Sequence, residues 1–363
     1  MKHFHALIKP ASSSCNMRCR YCFYHDVSSS RKIKSFGIMS EATVKALIRC
    51  VYGYLSSGDC VTFTFQGGEP TIAGIAFFKN FTSLAEELSN GKLKIYFAIQ
   101  TNGLLINREW AKFLAEKNFL VGISADGYDE IHNYLRHDAE NNDTYSTVAS
   151  AIKILKNAGV SYNILSVISA QMAKHPLAVM KNCKRNEWNY LQFIPCLSPL
   201  DSSLSDYEPP PKTYASFMKK VFDVWLERIN TETPVSIRQF DNLFTMLQGA
   251  APEQCGLSGK CTPQFVVEAD GSVYPCDFYV LDRYRCGSVL TDSVEQISNS
   301  EGMKLFMKEH IQSGNLCKSC PVYRFCKGGC RRYRSYYYRE KQYCPYQDFL
   351  LYALPKMQNL FFR

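Results

Sequence analysis

The chain has 363 residues, 46% hydrophobic and 21% charged, the composition of a soluble globular protein large enough to bury a core and to form two or more lobes. No run of 18 apolar residues occurs, and residues 1–10 are too mixed for a signal peptide, so we expect a cytoplasmic protein without a membrane partner. The formal charge of +9 attracts phosphate in principle, but metal-bound thiolates would offset much of it, so we expect no nucleic-acid partner. Sixteen cysteines in a large chain without an export signal indicate metal ligation rather than disulfides.

Strand and helix patterns alternate through the N-terminal part of the chain. Predicted strands cover 4–9, 61–65, 93–100, 119–124, 160–167 and 190–194. Predicted helices run through 44–51 after the N-cap Ser40, over 76–88, over 108–117 after the N-cap Asn107, and over 144–157. About six strand–helix repeats indicate an α/β fold of parallel βα units in an incomplete barrel, whose chemistry belongs at the carboxyl ends of the strands.

The chain changes character after the sixth predicted strand. A Pro-rich stretch at 207–211 marks a boundary, helices are predicted over 213–229 and 238–247, and a cysteine-rich part follows from Cys255. We therefore predict a barrel domain over 1–206, a helical bridge over 207–250 and a small cluster-binding domain with a C-terminal helix over 251–363.

The loop after the first strand carries Cys15, Cys19 and Cys22 at the spacing C-x3-C-x2-C. Four protein ligands close a structural site, so three leave one metal position open for a reactant. On a four-iron four-sulfur cluster, the open iron could bind S-adenosylmethionine and split it reductively into a 5'-deoxyadenosyl radical. Ordinary buried cysteines and a zinc site are the alternative readings of this motif.

A second motif, Gly67-Gly68-Glu69-Pro70, follows the second strand, where glycines let backbone carbonyls approach a ligand, or simply form a turn. With the cysteine spacing, it resembles the radical SAM superfamily. The resemblance implies contacts to S-adenosylmethionine by Tyr21 and Leu197 at the adenine, Gly67, Gly68 and Glu69 at the amino group, Ser124 at the ribose and Arg136 at the carboxylate. Taken alone, Ser124 suits a capped turn, Arg136 a solvated charge and Leu197 a core position.

The C-terminal part of the chain carries Cys255-x5-Cys261, then Cys276, then Cys317-x2-Cys320-x5-Cys326-x3-Cys330, and Cys344. This spacing resembles that of the SPASM domain. The resemblance implies two auxiliary 4Fe-4S clusters, one on Cys255, Cys261, Cys276 and Cys330 and the other on Cys317, Cys320, Cys326 and Cys344. Zinc is the alternative, because C-x2-C pairs bind it readily. The remaining cysteines suit packed thiols, namely Cys50, Cys60, Cys183, Cys196 and Cys286. The basic and aromatic run at 331–339 could suit a single-stranded nucleic acid, but a helix with a core face and a solvated face explains it more simply.

Several segments resemble the anaerobic sulfatase-maturating enzymes, namely those at 8–13, 21–25, 65–70 and 274–277. That family oxidises a cysteine or serine of a sulfatase to Cα-formylglycine. The resemblance implies an unfolded or nascent sulfatase peptide with a Cys/Ser-x-Pro-x-Arg motif as substrate, and a small reducing protein such as flavodoxin or ferredoxin as electron donor. Another SPASM peptide maturase, for example one that forms thioether crosslinks, is the alternative, although the first strand starts by Phe4 and leaves no room for the N-terminal recognition domain that such enzymes often carry. A non-enzymatic metalloprotein is a third reading.

Asp277 directly follows the predicted ligand Cys276, a rigid support for a catalytic group. After the radical removes a Cβ hydrogen, the substrate must lose a proton and an electron, and the family resemblance assigns the proton to this carboxylate and the electron to an auxiliary cluster. A solvated turn carboxylate is the alternative reading. Tyr24 and Gln66 lie beside the two cofactor motifs and are candidates to touch the peptide, with packing roles as the alternative.

Overall fold

The structure is a computed structural model that describes residues 1–201, 203–309 and 315–362. Its strands are β1 (His3–Ile8), β2 (Cys60–Phe65), β3 (Lys94–Thr101), β4 (Leu120–Ser124), β5 (Ser161–Ile168), β6 (Tyr190–Pro195), β7 (Ser236–Ile237), β8 (Phe265–Val267), β9 (Ser272–Tyr274) and β10 (Gly287–Ser288). The first six lie within two residues of the predicted strands at each end, because each is a short apolar or alternating run bounded by polar or turn residues.

The α-helices are α1 (Phe23–Ser29), α2 (Glu41–Tyr54), α3 (Ile75–Ser89), α4 (Arg108–Glu116), α5 (Asp129–Leu135), α6 (Tyr145–Asn157), α7 (Pro176–Arg185), α8 (Pro211–Arg228), α9 (Arg238–Leu247), α10 (Val294–Ser298), α11 (Glu301–Lys308), α12 (Asn315–Lys318), α13 (Tyr323–Cys326), α14 (Arg334–Tyr337) and α15 (Pro345–Gln358). The predicted caps are present: Ser40 accepts a hydrogen bond from the Thr43 amide, and Asn107 accepts one from the Trp110 amide. Helix α7 was not predicted, and it buries Val179, Met180 and Cys183 on one face.

The chain forms two compact units that alternate along the sequence. The first comprises Met1–Ser124, Arg136–Tyr162 and Pro263–Glu309, and the second comprises Ala125–Leu135, Asn163–Thr262 and His310–Arg363. The predicted bridge over 207–250 falls inside the second unit, and the predicted domain boundaries stay a prediction.

The first unit contains the strands β10-β9-β8-β1-β2-β3-β4 in that order. Neighbours from β8 to β4 are parallel, whereas β9 pairs antiparallel with both β8 and β10. Ile8 lies opposite both Phe65 and Val267. The residues that follow the ends of β1, β2 and β8 therefore reach the same edge of the sheet, and this edge carries the site described below.

Aromatic residues fill the core beneath this sheet. Phe65 packs edge to face against Phe78 and Phe81, with ring centroids 4.8 and 4.9 Å apart, and Phe97 stacks on Phe119 at 5.2 Å. These five side chains are almost fully buried. Each buried aromatic ring contributes on the order of 2 to 3 kcal/mol of hydrophobic stabilisation, which holds the strands at a fixed spacing under the site.

The second unit contains most of β5 with β6 and β7, all parallel. Phe222 of α8 packs against Phe240 of α9 and Phe349 of α15, with centroids 5.4 and 6.2 Å apart. The segment at 331–339 forms a 3-10 turn followed by α14, and its Arg331 and Arg332 are buried rather than solvated. Among the described residues, no helix combines the length and apolar character that crossing a membrane requires.

Candidate active site

The predicted cluster loop runs from the end of β1 into α1. Cys15 and Cys19 are half-buried and Cys22 is exposed. The Cys22 amide donates to the Cys19 carbonyl at 3.2 Å, so a tight turn presents the last two thiols. Burial raises the pKa of Cys15 to about 11, and the Glu69 carboxylate and the Cys22 thiol add to this rise. Without a metal cation the thiolate form is therefore disfavoured, and a cation bound by all three sulfurs would relieve this cost.

Two side chains from outside the loop approach its sulfurs. The Nδ2 amide of Asn102, just after β3, lies 3.8 Å from the Cys15 sulfur and donates to Oδ1 of Asn16 at 2.8 Å. The Nη1 atom of Arg136, just after α5, lies 3.8 Å from the Cys19 sulfur. Asn102 was missed by the sequence reasoning, although a Thr-Asn-Gly run directly after a strand was a signal that could have found it.

Gly67 and Gly68 pack against the segment that precedes Cys15. A Cβ atom on Gly68 would lie 2.2 Å from the Ser14 carbonyl oxygen, and one on Gly67 would lie 2.8 Å from the Ser12 oxygen. The Gly68 amide donates a hydrogen bond to the Ser12 carbonyl at 2.9 Å, and the Glu69 amide donates one to the Ser14 carbonyl at 2.8 Å. The close approach that these glycines permit is thus to the cluster loop itself, and their contact with the S-adenosylmethionine amino group stays a prediction.

Glu69 is buried, and its carboxylate is occupied by the chain's own donors. Oε1 accepts from the Thr71 amide at 3.0 Å and the Thr101 hydroxyl at 2.7 Å, while Oε2 accepts from the Asn102 amide at 2.7 Å. Burial raises the pKa of Glu69 in spite of these hydrogen bonds. This carboxylate ties the ends of β2 and β3 together, and its predicted contact with the cofactor remains untested.

The other predicted cofactor contacts are spread over both units. In the first unit, the Arg136 guanidinium lies 5.4 Å from the centroid of the Tyr21 ring, within cation–π range. Ser124 ends β4, and its hydroxyl accepts a hydrogen bond from Gln100 at 3.3 Å. Leu197 belongs to the second unit, where it is half-buried after β6. Tyr21 and Arg136 are therefore brought together, while the contacts of all four residues with the cofactor stay predictions.

Asp277 is held from both sides of its carboxylate. The Lys9 ammonium lies 2.5 Å from Oδ1, and the Gln66 amide donates to Oδ2 at 2.7 Å. The Asp277 backbone amide donates to Gln264 at 3.0 Å. The side chain keeps 10% exposure, whereas that of Lys9 has none. The position is therefore an oriented carboxylate with a small accessible face, not the solvated turn residue of the alternative reading.

A second buried ion pair lies next to Lys9. Glu268 follows β8, and its Oε1 accepts from Arg31 at 2.5 Å and from the Tyr24 hydroxyl at 2.6 Å. The Lys9 ammonium lies 3.9 Å from the centroid of the Tyr24 ring. Burial alone would raise the pKa of Glu268, but Lys9 and Arg31 hold it below its ordinary value. Tyr24 is only 3% exposed, so the structure shows a packing role for it, and its contact with substrate stays a prediction.

Seven of the eight predicted auxiliary-cluster cysteines lie in the second unit, where they form two groups. Cys255, Cys261 and Cys330 line one small cavity together with Gly256 and Gly329. Burial and the first two of these thiols raise the pKa of Cys330 to about 11. Cys276, the remaining predicted ligand of this set, belongs to the first unit and directly precedes Asp277.

The other predicted set lies wholly in the second unit. Burial, followed by Cys344, Cys320 and Cys317, raises the pKa of Cys326 to about 12, so these four thiols are close enough to interact. In the described part of the chain, no three His, Cys, Asp or Glu side chains are placed to bind a single metal ion. Soft thiols grouped in this way suit iron–sulfur ligation, and the fit rests on that donor chemistry.

Comparisons with known proteins agree with this geometry. A family model of the Radical SAM superfamily matches residues 10–171, and one of the iron-sulfur cluster-binding SPASM domain matches residues 259–321. The chain is 44% identical to a cysteine-type anaerobic sulfatase-maturating enzyme of Clostridium perfringens, over 98% of this chain and 97% of that protein. The chain belongs to the anaerobic sulfatase-maturating enzymes.

The chain is also similar to a serine-type relative and to a solved structure. A serine-type anaerobic sulfatase-maturating enzyme of Bacteroides thetaiotaomicron is 27% identical over 98% of this chain and 93% of that protein. The solved structure of native anSMEcpe with bound AdoMet and Cp18Cys peptide has a TM-score of 0.90 at 41% identity, covering 99% of this chain and 98% of that chain. The predicted family and the predicted α/β radical SAM fold with a SPASM part are confirmed.

Sequence reasoning found Asp277 but missed the three charged residues around it. Lys9 lies in the segment at 8–13 that resembles the family, but no role was predicted for it, and Arg31 and Glu268 belong to no motif that was singled out. Lys9 and Glu268 did carry a weak signal, because each is a charged residue directly after three consecutive apolar residues. Arg31 follows α1 in a polar run and carried no signal of its burial.

Proposed function

We propose that this protein oxidises a cysteine of a sulfatase polypeptide to Cα-formylglycine. The observation that carries this conclusion is the 44% identity, over 98% of the chain, to a cysteine-type anaerobic sulfatase-maturating enzyme. The lower identity of 27% to a serine-type relative favours cysteine over serine as the preferred target. A thioether-forming maturase, the alternative from the sequence, has no comparable support.

The cofactors of this reaction are three 4Fe-4S clusters and S-adenosylmethionine. We assign the radical-generating cluster to Cys15, Cys19 and Cys22. The auxiliary clusters are assigned to Cys255, Cys261, Cys276 and Cys330, and to Cys317, Cys320, Cys326 and Cys344. When bound, these groups supply the radical that removes a hydrogen atom from the target Cβ and an acceptor for the remaining electron.

The chain's own contribution to the chemistry is the Asp277 carboxylate. The substrate thiol must lose its proton for the Cβ–S unit to become a thioaldehyde, which water then converts to the aldehyde with release of hydrogen sulfide. An ionised carboxylate has about four positions that can accept a hydrogen bond. In Asp277, Lys9 uses one of these positions on Oδ1 and Gln66 uses one on Oδ2. An acceptor site therefore remains for the thiol proton on the exposed face of Asp277, as general-base catalysis requires.

The partner is a sulfatase peptide. The relatives are named for acting on sulfatases, and the solved relative holds a peptide denoted Cp18Cys. We propose that the target lies in a Cys-x-Pro-x-Arg motif, that Gln66 and Tyr24 border the peptide, and that a small reducing protein such as flavodoxin or ferredoxin supplies electrons. We also propose a cytoplasmic location, supported by sixteen cysteines of which none forms a disulfide in the described part of the chain.

The test is to incubate the reconstituted enzyme with S-adenosylmethionine, reductant and a short peptide that contains Cys-x-Pro-x-Arg. The expected result is a mass change that matches an aldehyde at the cysteine. A matched peptide with serine at the target position should react more slowly, and free cysteine should react far more slowly than either. Cleavage of S-adenosylmethionine without aldehyde, or a thioether product, would refute the proposed function.

A further inference from the structure

Lys9 is a fully buried cation beside the proposed base. Its ammonium contacts Oδ1 of Asp277 at 2.5 Å and lies 3.9 Å from the centroid of the Tyr24 ring. Its backbone amide is fixed as well, donating to the Val267 carbonyl at 2.9 Å. Burying an ammonium group is energetically unfavourable unless partners compensate its charge, so this placement requires the groups around it.

Those groups form a balanced set of charges. Glu268 and Arg31 have no side-chain exposure and pair at 2.5 Å. The Lys9 charge helps to hold the pKa of Glu268 below its ordinary value, so these two residues interact. Tyr24 connects them physically, because its ring faces Lys9 while its hydroxyl donates to Glu268. With Asp277 included, two cations and two carboxylates share one buried cluster.

We propose that Lys9 is a positioning residue that orients the Asp277 carboxylate toward the substrate thiol. Glu268, together with Arg31 and Tyr24, holds Lys9 in place. This inference rests on the proposed role of Asp277 as the base. Lys9 and Gln66 each contact a different oxygen of Asp277, so the carboxylate plane cannot rotate without breaking one contact. Arg31 pairs directly with Glu268 at 2.5 Å, while the Lys9 ammonium makes its direct contact with Asp277.

Fold stability alone explains this cluster poorly. Replacing a buried ion pair by apolar residues of similar volume is often neutral or stabilising, because the desolvation of both charges offsets their attraction. A cluster of four buried charges placed directly against the proposed base is better explained by orientation. A misplacement of about 1 Å of a catalytic group can reduce a rate by about 100-fold, so a rigid support has a large effect.

The experiment compares Lys9→Met, Lys9→Arg, Glu268→Gln and Asp277→Asn in the reconstituted holoenzyme. Lys45→Met is the matched control, because Lys45 and Glu41 also pair at 2.5 Å but their side chains are 43% and 58% exposed. The readouts are formylglycine formed per 5'-deoxyadenosine, iron per chain, the Kd of the peptide, and the position of the Asp277 carboxylate in a crystal structure.

We expect Lys9→Met to lower formylglycine per 5'-deoxyadenosine by about 10-fold to 100-fold, with iron content and peptide Kd unchanged and the Asp277 carboxylate displaced. Lys9→Arg should restore most of this ratio, since it returns a cation to the same place. Glu268→Gln should lower the ratio in the same direction but less, and Lys45→Met should leave it unchanged.

Three results separate the possible failures. A ratio within twofold of wild type in Lys9→Met, or equal losses in Lys9→Arg and Lys9→Met, overturns the role of Lys9. If Lys9→Met does not fold or load iron, Glu268→Gln decides, and an unchanged ratio there overturns the inference. If Asp277→Asn itself keeps a wild-type ratio, the proposed role of Asp277 as the base is wrong. If only Asp277→Asn lowers the ratio, the base stands and the role of Lys9 is overturned.

Discussion

The Asn102 amide donates a 2.7 Å hydrogen bond to the buried Glu69 carboxylate, and the Asn102 side chain in turn lies 3.8 Å from the Cys15 sulfur. The glutamate of the Gly-Gly-Glu motif therefore supports the cluster loop through a residue at the end of the neighbouring strand. The Glu69 carboxylate is accordingly buried and accepts hydrogen bonds on both of its oxygens.

We expect Glu69→Gln to destabilise the protein by about 1 to 3 kcal/mol, because an amide nitrogen would face donors that the carboxylate now satisfies. Thermal unfolding and iron content measure this effect. Glu109→Gln is the control, since Glu109 makes an exposed pair with Lys79 and should change little. Equal unfolding midpoints for the two variants would show that Glu69 is not the support described.

Gly68→Ala should prevent normal assembly of the cluster loop. Its Cβ would lie 2.2 Å from the Ser14 carbonyl oxygen, a backbone atom that has no freedom to rotate away. Iron per chain after reconstitution and circular dichroism measure the result. The control is Gly53→Ala in α2, where nothing lies within 4 Å of the new Cβ and the helix should gain about 0.5 to 1 kcal/mol. Normal iron loading in Gly68→Ala would contradict this account.

Replacing Cys15, Cys19 and Cys22 together by Ala should abolish cleavage of S-adenosylmethionine while the auxiliary sites still bind iron. The wild-type protein should hold about twelve irons and the triple variant about eight, because each 4Fe-4S cluster carries four. Iron and sulfide analysis with a 5'-deoxyadenosine assay checks both numbers. Retained 5'-deoxyadenosine production, or zinc in the C-terminal sites, would refute the assignment.

Asp277→Asn should reduce formylglycine formation by about 100-fold to 10,000-fold, the usual cost of losing a general base. Peptide binding and 5'-deoxyadenosine formation should persist, because the amide keeps the shape of the side chain. Asp282→Asn is the control, since Asp282 is a carboxylate five residues further along the chain that accepts from the Lys32 amide at 2.9 Å. Product formation within a few-fold of wild type, with clusters intact, would move the role to another residue.

The charge of Glu268 should appear in the pH dependence of stability. Lys9 and Arg31 lower the pKa of Glu268 in the folded state. The ionised carboxylate therefore adds to the free energy of unfolding above its unfolded-state pKa of about 4.3, and this contribution is lost as the pH falls through its folded-state pKa. Tyr24 donates to it and Tyr274 also feels its charge, but both phenols stay protonated in this range because their pKa values are raised.

The difference in unfolding midpoint between wild type and Glu268→Gln should therefore be largest near neutral pH and should shrink as the pH falls below about 4. Glu109→Gln again serves as the exposed control, with a small difference at every pH. If the difference in unfolding midpoint between wild type and Glu268→Gln increases as the pH falls, this carboxylate is not paired with cations as in the structure.

The sequence by itself determined the family, the cofactor chemistry and most of the regular structure. Cys15, Cys19 and Cys22 lie close together along the chain, as do the residues of the Gly67–Glu69 motif. Their spacing in the sequence is therefore enough to indicate their chemistry. Strands β1 to β6 were also readable, because each apolar run is short and bounded by polar or turn residues. Helix α7 was missed since its stability comes from packing of Val179 and Met180 rather than from a cap.

Only the tertiary structure decided what surrounds Asp277. Lys9 is 268 residues away along the chain, and Gln66 is 211 residues away. The strand register that sets Ile8 opposite both Phe65 and Val267 brings Lys9, Gln66 and Glu268 to one edge of the sheet. A charged residue after a strand has the same local sequence whether it ends in water or in a buried ion pair, because the partners that compensate its desolvation come from distant strands.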